Sequence, residues 1–395
     1  MNETRYIVAG SLIDGLGGSA HKRALLTVRD GRIAAIGSAA DCPRGDDVAV
    51  EDLSHCTVVP PLVDCSVALA GSSSLDPQAQ AGRAETAGSQ DATLVARHLR
   101  DCHDHGVLGL ADSTAAATPA EAKGLVTLRS CGSLRRRDDG TLEVAAAGDF
   151  LRIDSTGDID ADTPASPGLD RQALGRLLAQ RGPGRAVVVA NGATAVTEAL
   201  AAGCDAIEQG YRMGEANLRL MARDRVLWIP SLLRAKNGLD CASSGGSVCC
   251  RFSLRAVAPG EPQPGAESYW RALLADQLAQ LRLARSLGVL VAVGTGAGSP
   301  GILHGESMVE EMKLFLRAGW SLEETIHSAS EQGARFFAMD NLGALAVGRP
   351  ATFLVTRGAP QQLPRKLAYL EGIYLGGRPS DSYRKNPVKV VHPRP

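Results

Sequence analysis

From Pro60 onward the chain alternates short apolar runs with longer, more polar, alanine-rich stretches. This alternation is typical of strands followed by helices in a parallel sheet. The stretches between the runs, such as 195–202 and 269–287, have lengths that suit an outer ring of helices. Eight apolar runs follow one another, at residues 62–69, 107–111, 125–128, 150–153, 186–190, 206–207, 226–229 and 289–293. We therefore predict an α/β fold, a (β/α)8 TIM-type barrel over residues 60–340.

An open, doubly wound sheet is the structural alternative to a closed barrel. That fold usually has a GxGxxG turn directly after an early strand, where it holds a dinucleotide. No such motif follows an early apolar run in this chain. The closed barrel is therefore the preferred interpretation.

Both ends of the chain have a strand pattern instead. Short apolar segments occupy residues 6–9, 25–28, 32–36 and 56–59, and the pattern returns at 351–355 and 367–375. Asp30-Gly31 is a strong hairpin turn signal, because glycine accepts a positive φ without steric cost. We expect residues 1–59 and 341–395 to form one discontinuous β-sandwich domain.

Charge and composition exclude several classes of function. The chain has 42 Lys and Arg against 43 Asp and Glu, a formal net charge of −1. This balance provides no field that attracts a phosphate backbone or an anionic membrane, so we expect neither nucleic acid nor membrane partners. The N-terminus lacks the features of a signal peptide, and no apolar run is long enough to cross a bilayer. We expect a cytoplasmic protein.

The nine cysteines are odd in number and scattered, which favours reduced thiols over a disulfide framework. Cys241, Cys249 and Cys250 are the only cluster. Their spacing matches neither CxxC nor a standard zinc ligand set. Ordinary loop cysteines and a metal or redox role both stay open for this cluster.

Several segments resemble the amidohydrolase superfamily, in particular its imidazolonepropionase-like and prolidase-like branch. The sequence VRDGRI at 28–33 is similar to a hairpin of that family's sandwich, and GALAVGRPA at 343–351 to the return of the chain into it. VVPPLVD at 58–64 resembles the entry into the first barrel strand. The resemblance extends in order over nearly the whole chain and implies the barrel and sandwich described above.

The resemblance also implies a metal centre at the ends of the barrel strands. In the family the first strand ends in His-x-His, and the fourth carries a lysine whose carbamate bridges two metals. The fifth and sixth strands each provide a histidine, and the eighth provides an aspartate. Two divalent ions held this way lower the pKa of a shared water, which becomes the nucleophile.

In this chain the six corresponding positions carry other residues. Arginine stays protonated and cannot form a carbamate, and glycine at the aspartate position removes both a ligand and a general base. Serine and the two amides are weak ligands for zinc, and alanine is none. The positions are Ser66, Ala68, Arg152, Asn191, Gln209 and Gly296. We predict that the metal-dependent mechanism is lost and that the protein uses no metal and no cofactor.

Arg152 is the most informative of these replacements. A guanidinium at a strand end would lie where the metal ions lie in the family, and it can bind a carboxylate through two hydrogen bonds. Its partner is either a small anionic ligand or an acid of the protein. Among the acids we consider Asp64 first, then Asp112 and Asp154.

Other polar residues are expected near the same point. Asn191 and Gln209 either contact a ligand or, more commonly for buried amides, satisfy each other. Ser66 and Asp64 are further candidates for ligand binding. His304 follows the eighth run, where barrel active sites are built, and is either a ligand contact or a solvent-facing loop residue. Cys65 alternates away from Ser66, which argues against a nucleophile.

Three functions follow from these residues. The first is an amidohydrolase-like pseudoenzyme whose barrel mouth binds a small molecule, such as an anion, or a partner. The second is a metal-independent enzyme that acts on a small carboxylate or amide through Arg152, Asp64 and His304. The third is a hydrolase with a rebuilt metal site that includes Cys241, Cys249 or Cys250. The sequence leaves enzyme activity undecided between them and is compatible with a homo-oligomer.

Overall fold

The two ends of the chain meet in one sheet. The computed structural model describes residues 3–45, 48–74, 92–157, 159, 168–242 and 264–383. The sheet has seven strands in the order β16-β15-β14-β4-β1-β2-β3. They are β1 Thr4–Leu12, β2 His21–Arg29, β3 Arg32–Ser38, β4 Val50–Val59, β14 Phe353–Arg357, β15 Leu370–Leu375 and β16 Arg378–Pro379. Because β14 pairs antiparallel with β4, residues from both ends of the chain share this sheet.

The turn between β2 and β3 is the predicted hairpin. Asp30 and Gly31 both have left-handed backbone angles, with φ of 50° and 75°. Two consecutive positive φ values match a type I′ turn, whose twist suits the antiparallel strands that follow. The sheet buries a core of its own, in which the rings of Phe353 and Tyr374 stack at 4.6 Å. The proposed domain boundaries near residues 60 and 340 stay a prediction.

The middle of the chain forms parallel strands, as the alternating pattern predicted. One sheet contains β5 to β7 and a second contains β10 to β13, each in sequence order. Their bounds are β5 Leu62–Val67, β6 Val107–Asp112, β7 Thr127–Ser130, β10 Phe150–Asp154, β11 Arg185–Ala190, β12 Ala206–Gln209 and β13 Leu227–Ile229. These seven strands match seven of the eight predicted runs, although β7 begins two residues later than expected.

The eighth run, 289–293, is the exception to the predicted strand pattern. It forms no regular strand, but Val291 bridges to Trp228 on one side, and Ala297 bridges to Val67 on the other. Another bridge, between Cys131 and Phe150, links the two sheets. The eight segments thus follow one another around a TIM-type (β/α)8 barrel, with single bridges at three of the junctions.

Helices follow most of the barrel strands. They are α1 Ala92–Asp104, α2 Arg171–Leu178, α3 Ala193–Ala202, α4 Gly214–Asp224, α5 Leu233–Ala242, α6 Ala266–Leu287, α7 Ser307–Arg317, α8 Leu322–Ser328 and α9 Glu331–Phe336. α8 and α9 are separate helices, because the chain leaves helical geometry at Ser330.

α5 ends at Ala242, and residues 243–263 lie outside the described part. Two further strands, β8 Ser133–Arg136 and β9 Leu142–Ala146, form an antiparallel hairpin between β7 and β10 that the sequence did not predict. Among the described helices, none combines the length and apolar character needed to cross a bilayer.

Candidate functional site

A small cavity of about 150 Å³ lies at the carboxyl ends of the barrel strands, where barrel active sites are built. Its wall combines apolar residues with a group of polar side chains. The polar side chains include Ser66, Arg152, Asp154, Glu208, Ser231 and Arg234. The positions at which the family holds its metals therefore open, in part, onto this cavity.

The registers of three neighbouring strands bring Arg152 and Glu208 together. Arg152 pairs with Val187, and Glu208 pairs with Val189. The two valines are two residues apart on β11, so their side chains point to the same face of the sheet. Arg152 and Glu208 consequently share that face, although β11 lies between their strands.

The contact between Arg152 and Glu208 has two hydrogen bonds. Arg152 donates from Nε to Oε2 of Glu208 at 2.8 Å and from Nη2 to Oε1 at 3.1 Å. The side chain of Glu208 is 5% exposed and that of Arg152 is 22% exposed. Burial lowers the pKa of Arg152, but the Glu208 carboxylate outweighs burial and raises it overall. The guanidinium therefore stays charged.

Ser66 joins the same carboxylate from the first barrel strand. Its hydroxyl donates to Oε1 of Glu208 at 2.7 Å. The family resemblance predicts that Ser66 and Arg152 stand where the family has a metal-ligating histidine and the bridging lysine. The two positions are thus connected through an acid of the protein.

Asp64, our first candidate partner for Arg152, is committed elsewhere. It accepts from the hydroxyl of Thr295 at 2.5 Å and from the backbone nitrogens of Thr295 and Ser66. It is buried, and burial raises its pKa to about 6 despite these hydrogen bonds. Asp64 thereby holds the first segment of the barrel to the eighth and does not line the cavity.

The other two acids considered for Arg152 also have partners of their own. Asp112 accepts from the backbone nitrogens of Leu69 and Ala116 and from Thr114, while Asp154 accepts from Gly157. The short aspartate side chains at strand ends accept hydrogen bonds from nearby loop residues. The longer side chain of Glu208 reaches across β11 to Arg152. The prediction that named Asp64 as first partner is therefore wrong.

Asn191 and Gln209 satisfy each other, the more common of the two outcomes considered. Asn191 donates from Nδ2 to Oε1 of Gln209 at 2.6 Å, and its own oxygen accepts from the backbone nitrogen of Tyr211. Gln209 has a φ of 67° and lines the cavity, whereas Asn191 does not. A left-handed, non-glycine residue at a strand end is typical of functional sites.

His304 is buried, which excludes the solvent-facing position considered for it. Its ring stacks on His98 with 3.7 Å between centroids, and its Nε2 lies 3.1 Å from the carbonyl oxygen of Ala68. Burial, followed by His98, holds the pKa of His304 well below its ordinary value. His304 does not line the cavity, so the structure does not bring it together with Arg152.

Cys65 is a buried residue that is inert as a nucleophile. Burial, reinforced by Asp64, raises the pKa of its thiol well above the ordinary value. Of the cysteine cluster, Cys249 and Cys250 lie outside the described residues, and only the backbone of Cys241 is described, within α5.

The residues at the family's metal positions do not fit a pair of divalent ions. Arg152 brings a positive charge, and the oxygens of Asn191 and Gln209 accept hydrogen bonds from within the protein. Gly296 has a φ of 72° and provides no donor atom. Within the described ranges, no group of three or more His, Cys, Asp or Glu side chains is placed to hold a metal.

Several polar residues of the cavity were missed in the sequence, among them Glu208 and Ser231. Glu208 is an acid that directly follows the apolar residues Ala206 and Ile207 in a strand. A buried acid requires a partner, and this requirement is the signal that could have identified Glu208. Ser231 follows β13, and its buried hydroxyl has no hydrogen-bond partner in the described structure. A polar residue just after a barrel strand is the corresponding signal.

Comparison with known proteins places this architecture in a family. The amidohydrolase family model matches residues 186–379. No curated protein is significantly similar to the chain in sequence. Solved structures are similar in fold over nearly the whole chain, at low sequence identity.

Three of these structures illustrate the likeness. A Xaa-Pro dipeptidase with bound methionine has a TM-score of 0.72 and 17% identity, covering 96% of this chain and 100% of its own. The ochratoxinase of A. niger has a TM-score of 0.75 and 16% identity, covering 98% and 99%. A putative prolidase from Bifidobacterium longum has a TM-score of 0.71 and 18% identity, covering 98% and 96%. Residues 186–379 of the chain therefore form an amidohydrolase family domain, within a barrel and terminal sheet whose fold the solved structures share.

Proposed function

We propose that this protein is an amidohydrolase-like pseudoenzyme that has lost metal-dependent hydrolysis and binds a small anionic molecule in its barrel mouth. The observation that carries the proposal is the Arg152–Glu208 contact, which Ser66 completes. It puts an ion pair of the protein between two of the family's metal positions. The carboxylate of Glu208, which could otherwise attract a dication, is already neutralised by the guanidinium of Arg152.

The cavity beside this contact supports the binding part of the proposal. Within the described residues, Nη1 of Arg152 has no hydrogen-bond partner, since only Nε and Nη2 donate to Glu208. The hydroxyl of Ser231 is buried on the same wall without a partner. Both are donors, and a buried donor such as the hydroxyl of Ser231 normally has an acceptor. A carboxylate oxygen would satisfy both.

The volume of the cavity restricts the size of the ligand. About 150 Å³ accommodates a molecule of the size of a small carboxylic or amino acid. The dipeptidase neighbour was solved with methionine bound, so methionine and smaller acids such as acetate and proline are suitable probes. Arg152 would bind the carboxylate group in each case.

The loss of hydrolysis is tested by loading the purified protein with Zn²⁺, Co²⁺ or Mn²⁺ and dialysing it. We expect far less than one metal per chain by elemental analysis, and no turnover of dipeptide, lactam or ester substrates. Close to one metal per chain that resists a chelator, together with turnover, would contradict the proposal and support the cysteine-containing site.

Turnover in the chelated, metal-depleted protein has a different meaning. It would instead support the metal-independent enzyme that we considered from the sequence. The structure favours this alternative less, because Asp64 and His304 lie behind the cavity wall and are both hydrogen-bonded there.

The binding part is tested separately by calorimetric titration of acetate, L-proline and L-methionine. We expect binding that weakens about tenfold in Ser231→Ala, since one hydrogen bond to a charged group is lost. Thr197→Ala is a control on the barrel exterior, because Thr197 bonds within and between helices. Absence of binding for all three acids would refute an anion site in the mouth without affecting the metal result.

A further inference from the structure

A second and larger cavity lies at the opposite end of the barrel. It has a volume of about 660 Å³ and includes the first residues of β10 and β11, Phe150 and Arg185. The end of β9, the turn at 180–184 and the end of α9 complete it. We call it the basal cavity, because barrel active sites are built at the other ends of these strands.

The wall of the basal cavity is rich in arginine. Arg129, Arg181, Arg185 and Arg335 line it, with Asp149 as the acid among the lining residues. Arg181 and Arg185 share one further carboxylate, that of Asp205, at 3.7 and 3.0 Å. Four guanidinium groups against two carboxylates leave two positive charges in excess. The whole chain is close to neutral, so this excess is local.

Two of the arginines are not neutralised by an acid. Arg129 donates to the carbonyl oxygens of Phe337 and Ala338, which satisfies hydrogen bonds but leaves its charge uncompensated. Arg335 lies in the last turn of α9 and is exposed. Its side chain makes no ion pair or hydrogen bond with any residue that the structure describes. Both groups are therefore available to an anion.

An aromatic surface lies beside these charges. Phe336 lines the cavity and is only partly buried, and the guanidinium carbon of Arg185 lies 5.8 Å from the centre of its ring. Phe336 packs edge-on against Phe337 at 4.8 Å, which fixes the orientation of the ring. A planar ring of a ligand can lie against phenylalanine and guanidinium surfaces of this kind.

We propose that the basal cavity binds a small organic anion that carries a planar aromatic ring, such as an aryl phosphate. The two excess positive charges match a phosphate monoester, and Arg335 and Arg129 would hold its oxygens. The cavity volume lies in the ordinary range for small-molecule sites, about 300–1,000 Å³. This site is separate from the barrel mouth and does not depend on the function proposed for the mouth.

The test is calorimetric titration of 1-naphthyl phosphate into the full-length protein at low salt. We expect binding that weakens about tenfold in Arg335→Gln, because one charge-assisted contact is lost, and that weakens as salt is added. Arg317→Gln is the matched control. Arg317 is an exposed arginine in the last turn of α7, away from the cavity, and its replacement should leave the affinity unchanged.

Two further probes separate the contributions of charge and ring. Inorganic phosphate tests the charge alone and 1-naphthol the ring alone, and we expect both to bind more weakly than 1-naphthyl phosphate. The proposal is overturned if 1-naphthyl phosphate does not bind at millimolar concentration, or if Arg335→Gln binds it as well as the wild type does. Loss of binding in Ser231→Ala but not in Arg335→Gln would assign the ligand to the barrel mouth.

Discussion

Arg152 on β10 and Glu208 on β12 form a two-point contact across the strand between them, at 2.8 and 3.1 Å. The contact is largely buried, and Ser66 adds a third hydrogen bond to the same carboxylate. Desolvation offsets much of the attraction in such a pair, but loss of one partner leaves the other charge buried alone. Arg152 therefore has a structural role beside any role in binding.

We predict that Arg152→Met lowers the free energy of unfolding by about 3 kcal/mol, because Glu208 is left without its counter-charge. The double variant Arg152→Met/Glu208→Met should recover most of this loss, since no charge then remains buried. Urea unfolding of the single and double variants measures both values.

A control for this cycle is Arg219→Met, which removes an exposed i,i+4 pair with Glu215 and should cost less than about 0.5 kcal/mol. The free energy of unfolding that Arg152→Met/Glu208→Met loses is compared with the sum of the losses in Arg152→Met and Glu208→Met. If the two are equal, the contact between Arg152 and Glu208 does not contribute to stability.

We predict that Ser66→His/Ala68→His does not restore hydrolysis of amide, lactam or ester substrates in the presence of Zn²⁺ or Mn²⁺. Two imidazoles would return, but the charge of Arg152 and the missing carboxylate at Gly296 remain. The replacement also removes the hydrogen bond from Ser66 to Glu208. Metal-dependent turnover in this variant would show that the family positions are wrongly assigned.

Adding the aspartate at position 296 as well has a backbone cost. Gly296 has a φ of 72°, and a non-glycine residue in this region costs about 1 kcal/mol or more. An added Cβ would find space, since its nearest neighbour lies at 3.8 Å. We therefore expect Gly296→Asp to fold with reduced stability, as measured by thermal unfolding.

Stability should fall in mild acid because of His304. Its pKa in the folded protein lies well below the ordinary value of 6.5, owing to burial and then to His98. Below pH 6.5 the unfolded chain binds a proton that the folded protein does not, so the free energy of unfolding decreases as the pH falls. Above that value both states are neutral at this position, and the contribution disappears.

His304→Phe tests the assignment, because phenylalanine retains a ring against His98 but does not titrate. Urea unfolding between about pH 5 and 7, the range in which histidine titrates, should show a smaller decrease in this variant than in the wild type. An identical decrease in both would assign the acid sensitivity to other groups.

Glu311 on α7 is expected to be important for the start of α5. It is fully buried, and its two oxygens accept from the backbone nitrogens of Leu232 and Leu233 at 2.7 and 2.8 Å. Glu311→Ala leaves both donors unsatisfied, which should cost about 2–6 kcal/mol at roughly 1–3 kcal/mol for each. Glu311→Gln retains one acceptor and should cost less.

The carboxyl of Glu311 also affects the pH dependence of stability. Burial raises its pKa to about 8, against 4.5 ordinarily, although the two backbone hydrogen bonds oppose the shift. A raised pKa favours the folded protein at low pH, and this contribution is lost as the pH rises through about 8. Glu311→Gln should remove this part of the pH dependence. Urea unfolding from about pH 4 to 9 measures it, because this range contains both the ordinary and the raised pKa.

The parallel strands and the terminal hairpin were predictable from the sequence because their signals are local. Alternating apolar runs and helical stretches show the βα units, and Asp30-Gly31 identifies its turn without any distant residue. The eighth run was less predictable. Its apolar residues indicate burial, but whether they form a ladder depends on the neighbours, and here single bridges replace a strand.

The residue types expected at the candidate site could also be predicted from the sequence. Motif positions alone predict the replacements, among them Arg152 for the bridging lysine and Gly296 for the aspartate. The pairing of Asn191 with Gln209 also followed from a general rule, because buried amide side chains usually form hydrogen bonds within the protein. These statements depend on residue identity and strand position and require no distances.

Only the tertiary structure decided which acid meets Arg152. Glu208 is 56 residues away along the chain, and the contact depends on the registers of β10, β11 and β12, which no local signal specifies. The same holds for the burial of His304 against His98 and for the basal cavity, where arginines from separate elements converge. Sequence patterns determine which elements form, whereas the relative placement of those elements determines which side chains meet.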